Sequence, residues 1–66
     1  MRTAEITNHD GTGYMVQLSI DNEYFGTIDV RDKSIHYAND VVENWQNGIL
    51  SKDNKHIKRS NKVENL

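Results

Sequence analysis

The sequence predicts an α+β fold, a three-stranded antiparallel sheet packed on one helix (βββα), and three observations carry that expectation. YMVQLSI, Tyr14 to Ile20, alternates apolar and polar residues without a break, and EYFGTIDV, Glu23 to Val30, offers a β-rich return strand. DKSIHYANDVVENWQNG then repeats its apolar residues at helical spacing between recognisable end signals. A helix covering one face of a short antiparallel meander is a common two-layer solution.

RTAEIT, Arg2 to Thr7, reads as the first strand, with Ala4 and Ile6 on one face and Thr3, Glu5 and Thr7 on the other. NHDGTG, Asn8 to Gly13, reads as a turn, because its Asn and Asp can bond their own backbone. In the second strand Tyr14, Val16, Leu18 and Ile20 face inwards, while Met15, Gln17 and Ser19 face out. A three-residue loop of Asp21, Asn22 and Glu23 pairs Ile20 with Tyr24, Leu18 with Gly26, Val16 with Ile28 and Tyr14 with Val30, matching the apolar faces throughout. On that register Tyr24, Gly26, Ile28 and Val30 enter the core, and Phe25, Thr27 and Asp29 stand outside. Gly26 opposite Leu18 leaves space for a large side chain, expected to be Trp45.

Asp32 or Ser34 is placed to cap the helix, Gly48 to stop it, and Ile35, Ala38, Val41, Val42, Trp45 and Ile49 form its apolar stripe. Residues 1–50 are thus expected to form a single domain. Residues 51–66 read as a basic polar C-terminal tail, ordered in part, within which KHIKR can form a short strand or helix.

Composition narrows the functions. The chain of 66 residues has little core with which to build a deep catalytic cleft, and without cysteine it has neither disulfides nor cysteine-ligated metal sites. No apolar run has membrane-spanning length and MRTAEITNHD lacks a secretory apolar segment, so a cytoplasmic protein without a membrane association is expected. The net charge of −2 conceals an asymmetry: residues 1–50 hold three basic against eight acidic residues, whereas residues 51–66 hold five basic against two acidic. An acidic body suits a partner with a basic surface.

No catalytic, cofactor or metal site is expected. His36, Asp40 and Glu43 share one side of the helix, but three mixed ligands on an exposed helix read as a solvated face. His9 and Asp10 lie in a glycine-rich turn and have backbone reasons to be there. The more informative feature is the outer sheet face, where Met15, Phe25 and Tyr37 form a candidate apolar cluster bordered by Gln17, Ser19, Thr27 and Asp29. Met15, Gln17, Phe25, Thr27, Asp29 and Tyr37, with the acidic Asp40 and Glu43, make up the candidate partner-binding set. Its partner is a protein, a second copy of the chain included. The alternative is a small nucleic-acid-binding protein whose tail contacts phosphates through Lys52, Lys55, Lys58, Arg59 and Lys62.

Two resemblances bear on these alternatives. FGTIDV followed by a helix with Tyr37 and Ala38 near its start resembles the DNA-binding domains of the plant ethylene-response-factor type and of integrase arms, over about residues 14–45. That resemblance implies a three-stranded sheet whose outer face reads the major groove through arginines and tryptophans. Here those positions hold Met15, Gln17, Ser19, Phe25, Thr27 and Asp29, which offer no cation, so the topology carries over and DNA reading does not. The plan of a hairpin followed by a helix running from Ala38 to Trp45 and Gln46 is similar to that of small bacteriophage proteins that disable a host factor. This second resemblance implies a non-enzymatic phage or mobile-element protein that binds and inhibits a host protein.

Overall fold

Alternating strands and one capped helix assemble into a four-stranded antiparallel sheet covered on one face, as seen in a computed structural model that describes residues 1–8, 11 and 13–59. The elements are β1 (Arg2–Thr7), β2 (Tyr14–Ile20), β3 (Glu23–Val30), α1 (Ile35–Gln46) and β4 (Ile57–Lys58), and the sheet order is β1-β2-β3-β4. The α+β class and the sheet-then-helix order follow the sequence. His9, Asp10 and Lys62 lie outside the described residues. Among the described residues no helix is long and apolar enough to cross a membrane.

Apolar residues of β2 and β3 make the centre of the sheet's inner face. Val16, Leu18, Val30, Ala38 and Trp45 are essentially inaccessible, with Ile28 and Ile57 nearly so. Burial of each larger aliphatic side chain contributes about 1.5–3 kcal/mol. Ala4, Ile6, Tyr14 and Ile20 pack around them, half-buried at the sheet margins. Ser34 caps α1, its Oγ accepting the Tyr37 N–H at 3.4 Å. Gly48, at φ +76, takes the left-handed position just past the C-cap Asn47, where only glycine turns at no steric cost. Of the predicted stripe Ile35, at 37% exposure in the first turn, and Ile49, at 70%, fall outside the core, Ile49 because the chain has already left the helix there.

The hairpin between β2 and β3 departs from the expected three-residue loop. Asp21 and Asn22 both have positive φ, forming a two-residue turn of the kind that follows strand twist, and Glu23 pairs with Ile20. Ser19 then pairs with Tyr24 and Leu18 with Gly26, so Phe25 is the extra residue of a β-bulge. One residue fewer in the loop and one more in the strand leave the register from Gly26 to Val30 as expected. Both aromatics change sides. Tyr24 turns outwards, its hydroxyl sharing a hydrogen bond with Thr27 Oγ1, and Phe25 turns inwards against Trp45 with ring centroids 5.3 Å apart.

The space above Gly26 is also filled differently. A Cβ there would lie 2.6 Å from Ile57 Cγ2 and 3.1 Å from the Lys58 carbonyl oxygen, so β4, not Trp45, requires the glycine. Because Ile57 pairs with Ile28 and Lys58 with Thr27, the folded unit continues past the boundary drawn at residue 50. Trp45 instead meets Ser19, Arg2 and Phe25. Its Nε1–H donates to the Ser19 carbonyl at 3.2 Å, the Arg2 guanidinium stacks 4.2 Å from its ring centroid, and Phe25 carries Arg59 at 4.2 Å. Arg2 donates to the carbonyls of Leu50 at 2.7 Å and Trp45 at 3.3 Å, placing a cation at the negative end of α1.

Candidate functional site

The helix packs chiefly on β1 and β2, which leaves its N-terminal half standing clear of the far end of β3. The segment between α1 and β4 closes the other side, and a cleft of about 460 Å³ remains between them. Its floor is apolar, formed by Ile28, Val30 and Val41, and Tyr37 forms a wall. Asp29, Asp32, Lys33, Asn54 and His56 supply polar groups around it.

Local chemistry holds these walls in place. The Lys33 N–H donates to the Val30 carbonyl at 2.9 Å, turning the chain tightly from β3 into α1, and the Lys33 ammonium reaches to 5.6 Å from the Tyr37 ring centroid. Asn54 organises the opposite wall, its Oδ1 accepting the His56 N–H at 2.8 Å and its carbonyl accepting the Ile57 N–H at 3.1 Å. The Ser51 carbonyl accepts the Asn54 N–H in turn, at 3.1 Å. His56 is thus fixed to the element that completes the core.

The residues expected to bind a partner divide between two sides of the molecule. Met15, Gln17 and Thr27 lie half-buried on the outer sheet face, with Tyr24 in the outward position expected of Phe25. Tyr37, Asp40 and Glu43 are exposed on the helix, on the other side of the sheet, so Tyr37 does not join Met15 in an apolar cluster. Phe25 leaves the set, since the bulge commits it to Trp45. Asp29 is engaged too: it accepts the Arg31 backbone N–H at 3.0 Å, the Nε–H at 3.0 Å and an NH2 proton at 2.8 Å. The Arg31 guanidinium, and after it the backbone N–H, hold the Asp29 carboxyl below its ordinary pKa, and the same contact raises Arg31.

Tyr37 is the residue that links the sequence expectation to the cleft. Counting 100° per residue, Val41 lies about 40° from Tyr37 on the cleft side, while Asp40 and Glu43 lie about 60° and 120° from it in the other sense, on the exposed back of the helix. Asp32, Lys33, Asn54 and His56 escaped sequence reasoning because three separated segments bring them together. The one available signal was Asn54, a turn former two residues before His56.

Of the basic residues expected to contact phosphates, Lys52 and Lys55 are exposed, Lys58 pairs in the sheet and Arg59 lies on Phe25. The cations therefore do not form one free tail. Among the described residues no three His, Asp or Glu side chains converge on a common point, His36, Asp40 and Glu43 included. Compared with family models, with curated proteins and with solved structures, the chain matches none of them.

Proposed function

We propose that the protein is a non-enzymatic binding module that takes an apolar side chain of a partner protein into the cleft and a basic segment of it along Asp40 and Glu43. The observation that supports this reading is the joining of an apolar floor and a polar margin in one cleft, with Tyr37 leading from its wall to the exposed back of the helix that carries Asp40 and Glu43. A fully desolvated anchor residue in such a depression supplies most of an interface's binding energy, and the surrounding charges set approach and register. The small size, the plan and the acidic body favour a phage or mobile-element protein that binds and inhibits a host protein in the cytoplasm.

Affinity capture from bacterial lysate with the wild type, Tyr37→Ala, Asp40→Lys/Glu43→Lys and Met15→Ala tests the assignment. The expected result is one partner retained by the wild type and Met15→Ala, and lost or more than tenfold reduced with the other two. Loss with Met15→Ala alone would transfer binding to the outer sheet face. Capture of nucleic acid instead, with affinity that collapses as salt rises, would favour the basic segment at Lys52 and Lys55.

A further inference from the structure

The sheet ends differently on its two sides, and among the described residues the side away from the cleft is open. Strand β1 pairs with β2 through six consecutive residues without a bulge, and among the described residues no strand pairs with its other edge. Natural edges are usually blunted by proline, lysine, irregularity or brevity, and RTAEIT has none of these. Arg2 is a charge pointing inwards, but it is consumed by Trp45 and by the carbonyls at the end of α1. The two most exposed large apolar side chains among the described residues, Met1 at 85% and Ile49 at 70%, both lie at the Arg2 end of this strand. Met1 precedes it, and Ile49 adjoins Leu50, whose carbonyl accepts from Arg2.

We propose that β1 pairs antiparallel with β1 of a second copy of this chain, making one continuous eight-stranded sheet with both helices on the same side. The strand's own sequence selects this occupant. It carries one cation and one anion, Arg2 and Glu5, so two copies meet without the repulsion of the acidic body. A two-fold axis that keeps the helices on one side must pass midway between a residue and its own copy. Centred on Glu5 it would oppose two carboxylates. Centred on Ala4 it brings a small neutral side chain to the axis, sets Thr3 opposite Glu5 of the second copy, and sets Arg2 opposite Ile6. Met1 then falls opposite Thr7 of the second copy on the outer face, and Ile49, beside Arg2 on the helix side, falls where Ile6 of the second copy arrives. The two clefts, on the β3 side of each copy, stay open at the far ends of the assembly. A dimer of this kind would engage a repeated partner with avidity.

Sedimentation of the full chain from micromolar to millimolar concentration, with the wild type, Thr3→Glu and Thr3→Lys, tests this. Thr3 faces Ser19 across the sheet within its own copy, so neither variant meets a charged neighbour there. The expected result is a concentration-dependent dimer that Thr3→Glu weakens and Thr3→Lys tightens, each by roughly two- to thirtyfold in Kd, because symmetry repeats the contact with Glu5. Folding of both variants is checked by the emission of the single tryptophan, Trp45. A monomer at every concentration overturns the proposal, as does a dimer indifferent to the charge at residue 3. Either result leaves the cleft reading intact.

Discussion

The two edges of this sheet solve the same problem in opposite ways. At the β3 edge the backbone is interrupted by the Phe25 bulge, and β4 covers only Thr27 and Ile28. At the β1 edge six residues run without a bulge, and among the described residues no strand pairs with them on the far side. The difference lies in what each side chain is asked to do. Around β3 the side chains are occupied with the core: Ile57 fills the space over Gly26, and Phe25 joins Trp45. Along β1 Arg2, Ala4 and Ile6 are tied inwards and the Thr7 hydroxyl donates to the Met15 carbonyl at 3.4 Å, while Glu5 is exposed and Thr3 half-buried on the outer row. One edge belongs to stability, and the other is available for association.

Breaking the protected edge should have the largest effect. Ile57→Ala removes the side chain that seals Gly26 and is expected to cost about 2–5 kcal/mol, read from urea denaturation followed by Trp45 emission. Gly26→Ala attacks the same contact from the other strand. Its methyl group must displace Ile57 and the Lys58 carbonyl, for a loss of about 1–3 kcal/mol in the same experiment. Cutting the chain after residue 50 removes this edge altogether, so the shortened chain is expected to give no cooperative unfolding transition.

The next effects sharpen the contrast. Arg2→Ala strips a cation from the Trp45 ring and from two carbonyls, and about 1–2 kcal/mol of stability should go with it. Arg2→Lys should recover only part, because a point charge cannot stack on the ring and reach both carbonyls as a planar guanidinium does. Thr3→Lys, one residue along the same strand but facing out, should leave the stability of the single copy within about 0.5 kcal/mol. A large loss there would mean that the outer row of β1 is not free.

The smallest effect concerns acid. Asp29 has a lower pKa in the folded chain than in the unfolded one, so the unfolded state takes up its proton first as pH falls. Its contribution is complete above the ordinary carboxylate range and is lost as pH drops through the folded value. Arg31→Gln should flatten this part of the stability–pH curve below about pH 4 and leave the neutral region nearly unchanged. Since the pair is exposed, an unaltered acid limb would mean that solvent screens it completely.

Much of the architecture could be read from residue order because it depends on periodicity. Strands β1 to β3, the capped helix and the register from Tyr14–Val30 to Leu18–Gly26 all follow from which positions are apolar. The turn did not, because a two-residue turn with a bulge and a three-residue loop give the same register beyond Gly26. Only the preference of Asp21 and Asn22 for left-handed backbone separates them, and with it the exchange of Tyr24 and Phe25 between faces. Strand β4 is two residues long, too short to show alternation, and Ile57 is an isolated apolar residue in a polar segment. The cleft was invisible for a different reason, since it arises from where the helix lies across the sheet and from an asparagine turn twenty residues beyond its N-terminus.

Arg2 and Arg59 flank one aromatic pair, Trp45 and Phe25, from its two sides. Arg2 at the start of β1 and Arg59 just after β4 thus stand at opposite edges of the sheet and are linked through the aromatic pair. A label attached at Met1 would stand at the β1 edge, beside the proposed contact with a second copy, and on the side of the sheet away from the cleft. A probe there would therefore leave the cleft face presented to solution while reporting on the β1 edge, or blocking it.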